Sequence, residues 1–130
     1  MNAPAGPARP GVLVVAHDGV ARAVLSRLLE SLGLRALPAD GAGEAAELYR
    51  KHRDAVGLVL LDLRLGGADG RQALRLLRGI DPGVPCCLVS GVVAKGEVEA
   101  FLREGFDAVV RKPFRPAEVT AVVRSLLPVR

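Results

Sequence analysis

The chain has 130 residues, half of them hydrophobic, and a formal net charge of +4. That is enough for one domain whose core needs no disulfide or metal staple. No apolar run approaches the ~20 residues that span a bilayer, the arginines are spread rather than clustered, and 3% aromatic content leaves no stacking platform for single-stranded nucleic acid. Neither a membrane nor a nucleic acid is therefore an expected partner.

Residues 1–10, rich in Pro, Gly and Ala, lack the apolar stretch of a secretory signal and read as a disordered lead-in. Val12–Val15 is a continuous apolar run, as in a strand covered on both faces. Leu25, Leu28, Leu29 and Leu32 follow at helical spacing, and Gly33 closes that helix. Leu34–Leu37 is shorter and more polar, which suits a sheet edge. A second helical period comes at Ala45, Leu48, Tyr49 and His52. Val56–Leu61 is the third strand, followed by Ala73, Leu76, Leu77 and Ile80 on a helix that ends at Asp81-Pro82-Gly83. Cys86–Val89 is the fourth strand. A disulfide between neighbouring cysteines is strained, and two thiols make no zinc site, so Cys86 and Cys87 read as strand residues in a reducing cytoplasm. A fourth helix is marked by Val98, Phe101, Leu102 and Gly105. The fifth strand is Ala108–Val110, and Pro116 opens a last helix through Val119, Val122, Val123 and Leu126. This (βα)5 alternation implies a doubly wound, five-stranded parallel α/β sheet with right-handed crossovers. It fills residues 11–127, with no output domain expected.

In such a sheet, functional groups gather beyond the carboxyl ends of the strands. There stand Ala16-His17-Asp18 after the first strand, Asp62 ending the third, Ser90-Gly91 ending the fourth, and Arg111-Lys112-Pro113 ending the fifth. One aspartate at a strand end is ordinarily a loop or cap residue. Two acids, a hydroxyl and an ammonium arriving from four strands form a more specific pattern. A nucleotide or flavin site fits poorly, because no Gly- or Ser/Thr-rich phosphate cradle follows the first strand. No helix-turn-helix module follows the domain either.

Three motifs, the stretch Val59–Gly70 around Asp62, Leu88-Val89-Ser90-Gly91 and Lys112-Pro113-Phe114, occur in order. Over residues 11–127 the chain thereby resembles the response regulator receiver domains of two-component signalling. The resemblance implies a flavodoxin-like fold with strand order 2-1-3-4-5. It makes Asp62 the phosphoacceptor, which takes a phosphoryl group from a histidine kinase or histidine phosphotransfer protein. Lys112 is then the ion-pair partner of Asp62, Ser90 the switch hydroxyl, and Gly91 the small residue that leaves room for an attacking group. It further implies a cis Lys112–Pro113 bond and a turn at Asp69-Gly70. The chain is expected to be a signalling domain with no enzymatic activity beyond its own phosphorylation and dephosphorylation. Its output is a change in binding to a downstream protein through the fourth helix, fifth strand and fifth helix, as a monomer or a weak homodimer through that face.

Two positions depart from the family pattern. Receivers normally carry two acidic residues after the first strand, which hold Mg²⁺ with the phosphoacceptor; here they are Ala16 and His17. Mg²⁺ prefers oxygen ligands, so the expected set shrinks to Asp62, the Arg64 backbone carbonyl, Asp18 and water, and binding is expected to be weak. The plain reading of His17 is a loop imidazole; its alternative is a transition-metal set with Asp18 and Asp62. Two compensations are conceivable: Asp18 swings inward beside Gly19, or the Arg64 guanidinium reaches the phosphoryl oxygens. The plain reading of Arg64 is a solvated loop residue. Val109 replaces the family's Tyr or Phe, so coupling from Ser90 is expected to be blunted or to run through Phe106 or backbone shifts. The competing functional reading is an atypical receiver that acts as a protein-interaction module independently of phosphorylation. The retained Asp62, Ser90 and Lys112 favour the phosphorylated reading.

Overall fold

The computed structural model describes residues 10–65, 68–91 and 94–127, so the lead-in expected at 1–10 lies, apart from Pro10, outside the described residues. Five strands, β1 (Gly11–Val15), β2 (Arg35–Ala39), β3 (Val56–Asp62), β4 (Cys86–Ser90) and β5 (Ala108–Arg111), alternate with five helices. The helices are α1 (Gly19–Ser31), α2 (Ala42–His52), α3 (Gly70–Ile80), α4 (Glu97–Glu104) and α5 (Pro116–Leu126). The strands form one parallel sheet in the order β2-β1-β3-β4-β5, the flavodoxin-like arrangement.

Alternation along the strands builds two cores. Leu13, Val15, Val59, Leu61, Cys86 and Leu88 face α2, α3 and α4, where they meet Tyr49, Leu77 and Phe101. Val12, Val14, Leu58, Leu60, Cys87 and Val89 face α1 and α5, where they meet Leu25, Leu29, Val119 and Val123. Because both sheet faces are covered, the central strands must be apolar at every position, which is why they read as continuous runs.

The second strand runs from Arg35 to Ala39 rather than Leu34 to Leu37. The turn that ends α1 is the reason: Gly33 takes a left-handed φ of 83°, and the Leu34 N–H donates back to the Leu29 carbonyl, so Leu34 belongs to the helix cap. Pro38 then sits inside β2, opposite Val14, tolerated because β2 is an edge strand. A short antiparallel pairing of Arg64–Leu65 with Ala68–Asp69 follows β3. It places Asp69 in a two-residue strand and Gly70 at the start of α3, where a simple turn was expected.

Candidate functional site

Strand register brings the site together. Asp62 pairs with Val89 and Ser90 with Arg111, and the Lys112 N–H donates to the Ser90 carbonyl at 2.9 Å. The ends of β3, β4 and β5 are thus held at one level. The Lys112–Pro113 bond is cis. Asp62 is 7% exposed, so its charge needs a partner. The Lys112 ammonium supplies one, with Nζ 2.5 Å from Oδ2, while the Arg64 backbone N–H donates to Oδ1 at 3.1 Å. A buried ion pair of this kind is strong only when the remaining lone pairs also find donors, and both carboxylate oxygens do so here.

Around this pair opens a cavity of about 340 Å³ lined by His17, Asp18, Asp62, Leu63, Arg64, Ser90, Gly91 and Lys112. The structure therefore brings together every candidate site residue read from the sequence. Gly91 lines the same cavity, and a Cβ there would lie 3.9 Å from Lys112 Cδ, an ordinary contact. Gly70 is the tight position. A Cβ on it would stand 2.7 Å from the Asp62 carbonyl oxygen and 3.1 Å from Leu63 Cα. The Gly70 N–H also donates to the Leu63 carbonyl at 2.7 Å, so α3 starts directly against the end of β3.

At the end of β1 the side chains that line the cavity make their hydrogen bonds to groups other than Asp62. The Asp18 side chain caps α1, accepting from the Val20 N–H at 2.9 Å. His17 Nδ1 lies 3.0 Å from Asp40 Oδ1. Arg22 Nη1 donates to the Ala16 carbonyl at 2.7 Å and the His17 carbonyl at 3.3 Å, and stands 3.5 Å from Asp40. Ala16 is buried and offers no side-chain ligand. Among the described residues no group of three or more His, Cys, Asp or Glu is placed to hold a metal ion, so the His17, Asp18 and Asp62 set is not assembled. Sequence reasoning missed Asp40 and Arg22. The strand-end filter that found Asp62 and Ser90 would have found Asp40, which directly follows β2; nothing in the sequence marks Arg22, one helical turn beyond Asp18.

On the far side of the sheet, Val109 is half-buried against the α2–α3–α4 core. Phe106 packs edge-on against Phe101 with ring centroids 6.1 Å apart. Arg71 of α3 covers the Phe101 ring at 5.1 Å and ion-pairs with Glu104 of α4. Arg78 pairs with Asp107 at 2.9 Å, and the same Asp107 oxygen accepts from the Cys86 N–H.

Comparison with known proteins agrees with this architecture. The chain is 34% identical over 119 residues to the DNA-binding response regulator MtrA of Mycolicibacterium smegmatis, covering 92% of this chain and 51% of that protein. It is also 34% identical over 123 residues to the transcriptional regulatory protein PrrA of Mycobacterium tuberculosis, covering 94% and 52%. The chain thus spans about half the length of the curated relatives it matches. A response regulator receiver protein from Pseudomonas putida superposes with a TM-score of 0.80 at 31% identity, over 92% of this chain and 99% of that one. The chemotaxis protein CheY4 of Vibrio cholerae shares the fold, with a TM-score of 0.84 at 19% identity, over 92% and 100%. The response regulator receiver domain family matches residues 12–124, and the chain belongs to that family, the signal-receiving domains of two-component response regulators.

Proposed function

We propose that residues 11–127 act as one phosphoreceiver unit, with Asp62 accepting a phosphoryl group from the phosphohistidine of a histidine kinase or histidine phosphotransfer protein. The observation that carries this reading is the buried Asp62 carboxylate, ion-paired to Lys112 and opening on the cavity that Ser90 also lines. A carboxylate oxygen of Asp62 attacks phosphorus, an O–P bond forms, and the N–P bond of the donor breaks. The leaving imidazole keeps the electron pair and picks up a proton from solvent. Lys112 holds Asp62 in place beforehand and offers its ammonium to a phosphoryl oxygen afterwards. Ser90, which ends β4 and lines the cavity, donates its hydroxyl to the new group.

The output runs through α4, β5 and α5 to a downstream protein in the cytoplasm, with the chain as a monomer or a weak homodimer through that face. Among the described residues no helix is long and apolar enough to cross a membrane. The DNA binding in the name of MtrA is a property of a protein about twice this length. We assign no nucleic-acid contact to residues 11–127, whose arginines are spread along the chain. Val109 lacks a ring to swing, so coupling from Ser90 to that face is blunted or runs through Phe106 or backbone shifts.

Intact-mass analysis after incubation with acetyl phosphate and Mg²⁺ tests the reading, beside Asp62→Asn. A single phosphoryl adduct that the variant lacks is the expected result. No adduct on the parent would return the chain to the alternative, an interaction module that works without phosphorylation.

A further inference from the structure

Receiver domains generally bind Mg²⁺ at the phosphorylation site, and such an ion demands several oxygens in near-octahedral array. The oxygens at the end of β1 are committed elsewhere. Asp18 turns one carboxylate oxygen, Oδ1, to the Val20 N–H as a helix cap, and Ala16 has no oxygen in its side chain. The carbonyls of Ala16 and His17 both accept from Arg22 Nη1, a donor that also ion-pairs with Asp40. The remaining protein oxygens are those of Asp62, one facing the Lys112 ammonium and the other the Arg64 N–H, the second oxygen of the Asp18 cap, and the Arg64 carbonyl. With Ala16 and His17 in place of the acidic pair, Asp18 drawn to its cap and Asp62 already paired to Lys112, this donor set fits a divalent ion poorly.

The charge balance points the same way. The family pattern sets three carboxylates against one lysine, an excess of negative charge that opposes an incoming phosphoryl group unless a metal offsets it. This cavity starts balanced, with Asp18 and Asp62 against Arg64 and Lys112. The neighbouring Arg22 and Asp40 cancel one another.

We propose that this site carries out phosphoryl transfer to Asp62 without a divalent cation. Arg64 and Lys112, which line the cavity beside Asp62, neutralise the phosphoryl oxygens in place of a metal. The inference rests on Asp62 being the phosphoacceptor. With acetyl phosphate as donor, an Asp62 oxygen forms the new O–P bond, the bond from phosphorus to the acetyl oxygen breaks, and acetate leaves with the electron pair.

Two measurements on the full chain test it. In the first, adduct formation from acetyl phosphate is timed by intact mass in excess EDTA and in millimolar Mg²⁺. Rates within about twofold of each other are expected; an adduct only with Mg²⁺, or one formed more than about twofold faster with it, overturns the proposal and leaves the phosphoacceptor reading standing. No adduct in either condition removes both. In the second, backbone amide NMR follows a Mg²⁺ titration with no phosphoryl donor present. The parent is expected to show no saturable shift at Asp62 or Arg64. His17→Asp, at an exposed position, and Ala16→Asp combined with His17→Asp, are expected to acquire one. A saturable shift in the parent, or variants that respond as the parent does, would count against the proposal.

Discussion

A methyl group at Gly70 would stand 2.7 Å from the Asp62 carbonyl oxygen, closer than any relaxed contact, and backbone rather than a flexible side chain would have to yield. Gly70→Ala is therefore expected to lower stability by about 1–3 kcal/mol and to slow adduct formation on Asp62, because the shift falls on the strand end that carries the nucleophile. Urea unfolding and intact-mass kinetics measure the two effects; a variant that matches the parent in both would show that the contact relaxes freely. Cys86 and Cys87 have no solvent exposure, and burial pushes both thiols up to about 12. A thiol is reactive only as thiolate, so both are expected to resist a thiol-labelling reagent in the native state and to react together in denaturant. Labelling of either under native conditions would contradict their placement inside β4.

Between elements, two contacts make distinct predictions. The Tyr49 hydroxyl of α2 donates to Asp81 Oδ2, beyond the end of α3, at 2.6 Å. That hydrogen bond, helped by the Gly83 N–H, holds the Asp81 carboxyl below its ordinary value of 3.8, and burial first, then Asp81, pushes the Tyr49 phenol well up. A carboxyl depressed on folding stabilises above its unfolded pKa, and that contribution fades as pH falls through the folded value. Tyr49→Phe should therefore lose most stability near neutral pH, and the gap from the parent should narrow on acidification below the ordinary carboxylate range. A gap that widens in acid would reverse the assigned sign. On the other contact, Arg71 joins α3 to α4 through Glu104 and the Phe101 ring. The pair is over one-third exposed, so Arg71→Leu should change global stability by only about 1 kcal/mol or less. It should nonetheless speed hydrogen exchange in α4 selectively, since this eight-residue helix is short for independent stability. Exchange raised equally throughout the sheet would mean that Arg71 supports the fold and not α4 in particular.

For the whole molecule, the parallel sheet sandwiched between two helical layers makes its central strands the common support of both cores. Leu61 and Leu88 are fully buried on the α2–α3–α4 side, and truncating either to alanine is expected to cost about 2–5 kcal/mol. Leu102→Ser on α4, at a position 44% exposed, should have a small effect. Comparable losses at Leu61 and Leu102 in chemical denaturation would contradict the two-core description.

The sequence alone determined the element order, the parallel two-faced sheet, and the meeting of Asp62, Ser90 and Lys112 at its carboxyl edge. Those follow from local signals: continuous apolar runs, helical periodicity, and glycine or proline punctuation, combined with the rule that parallel strands end on the same side. The boundaries of β2 were less legible, because Leu34 is equally apolar whether it starts a strand or caps a helix. Only the tertiary structure decided what surrounds the phosphoacceptor. Asp40 reaches His17 across 23 residues of sequence, Arg22 folds back one helical turn onto the carbonyls ending β1, and Gly70 abuts the Asp62 backbone. A strand-end position marks Asp40 and a motif contains both Asp62 and Gly70, but neither says which partner each group meets, and nothing marks Arg22 at all. Their geometry exists only once the strand ends are packed side by side.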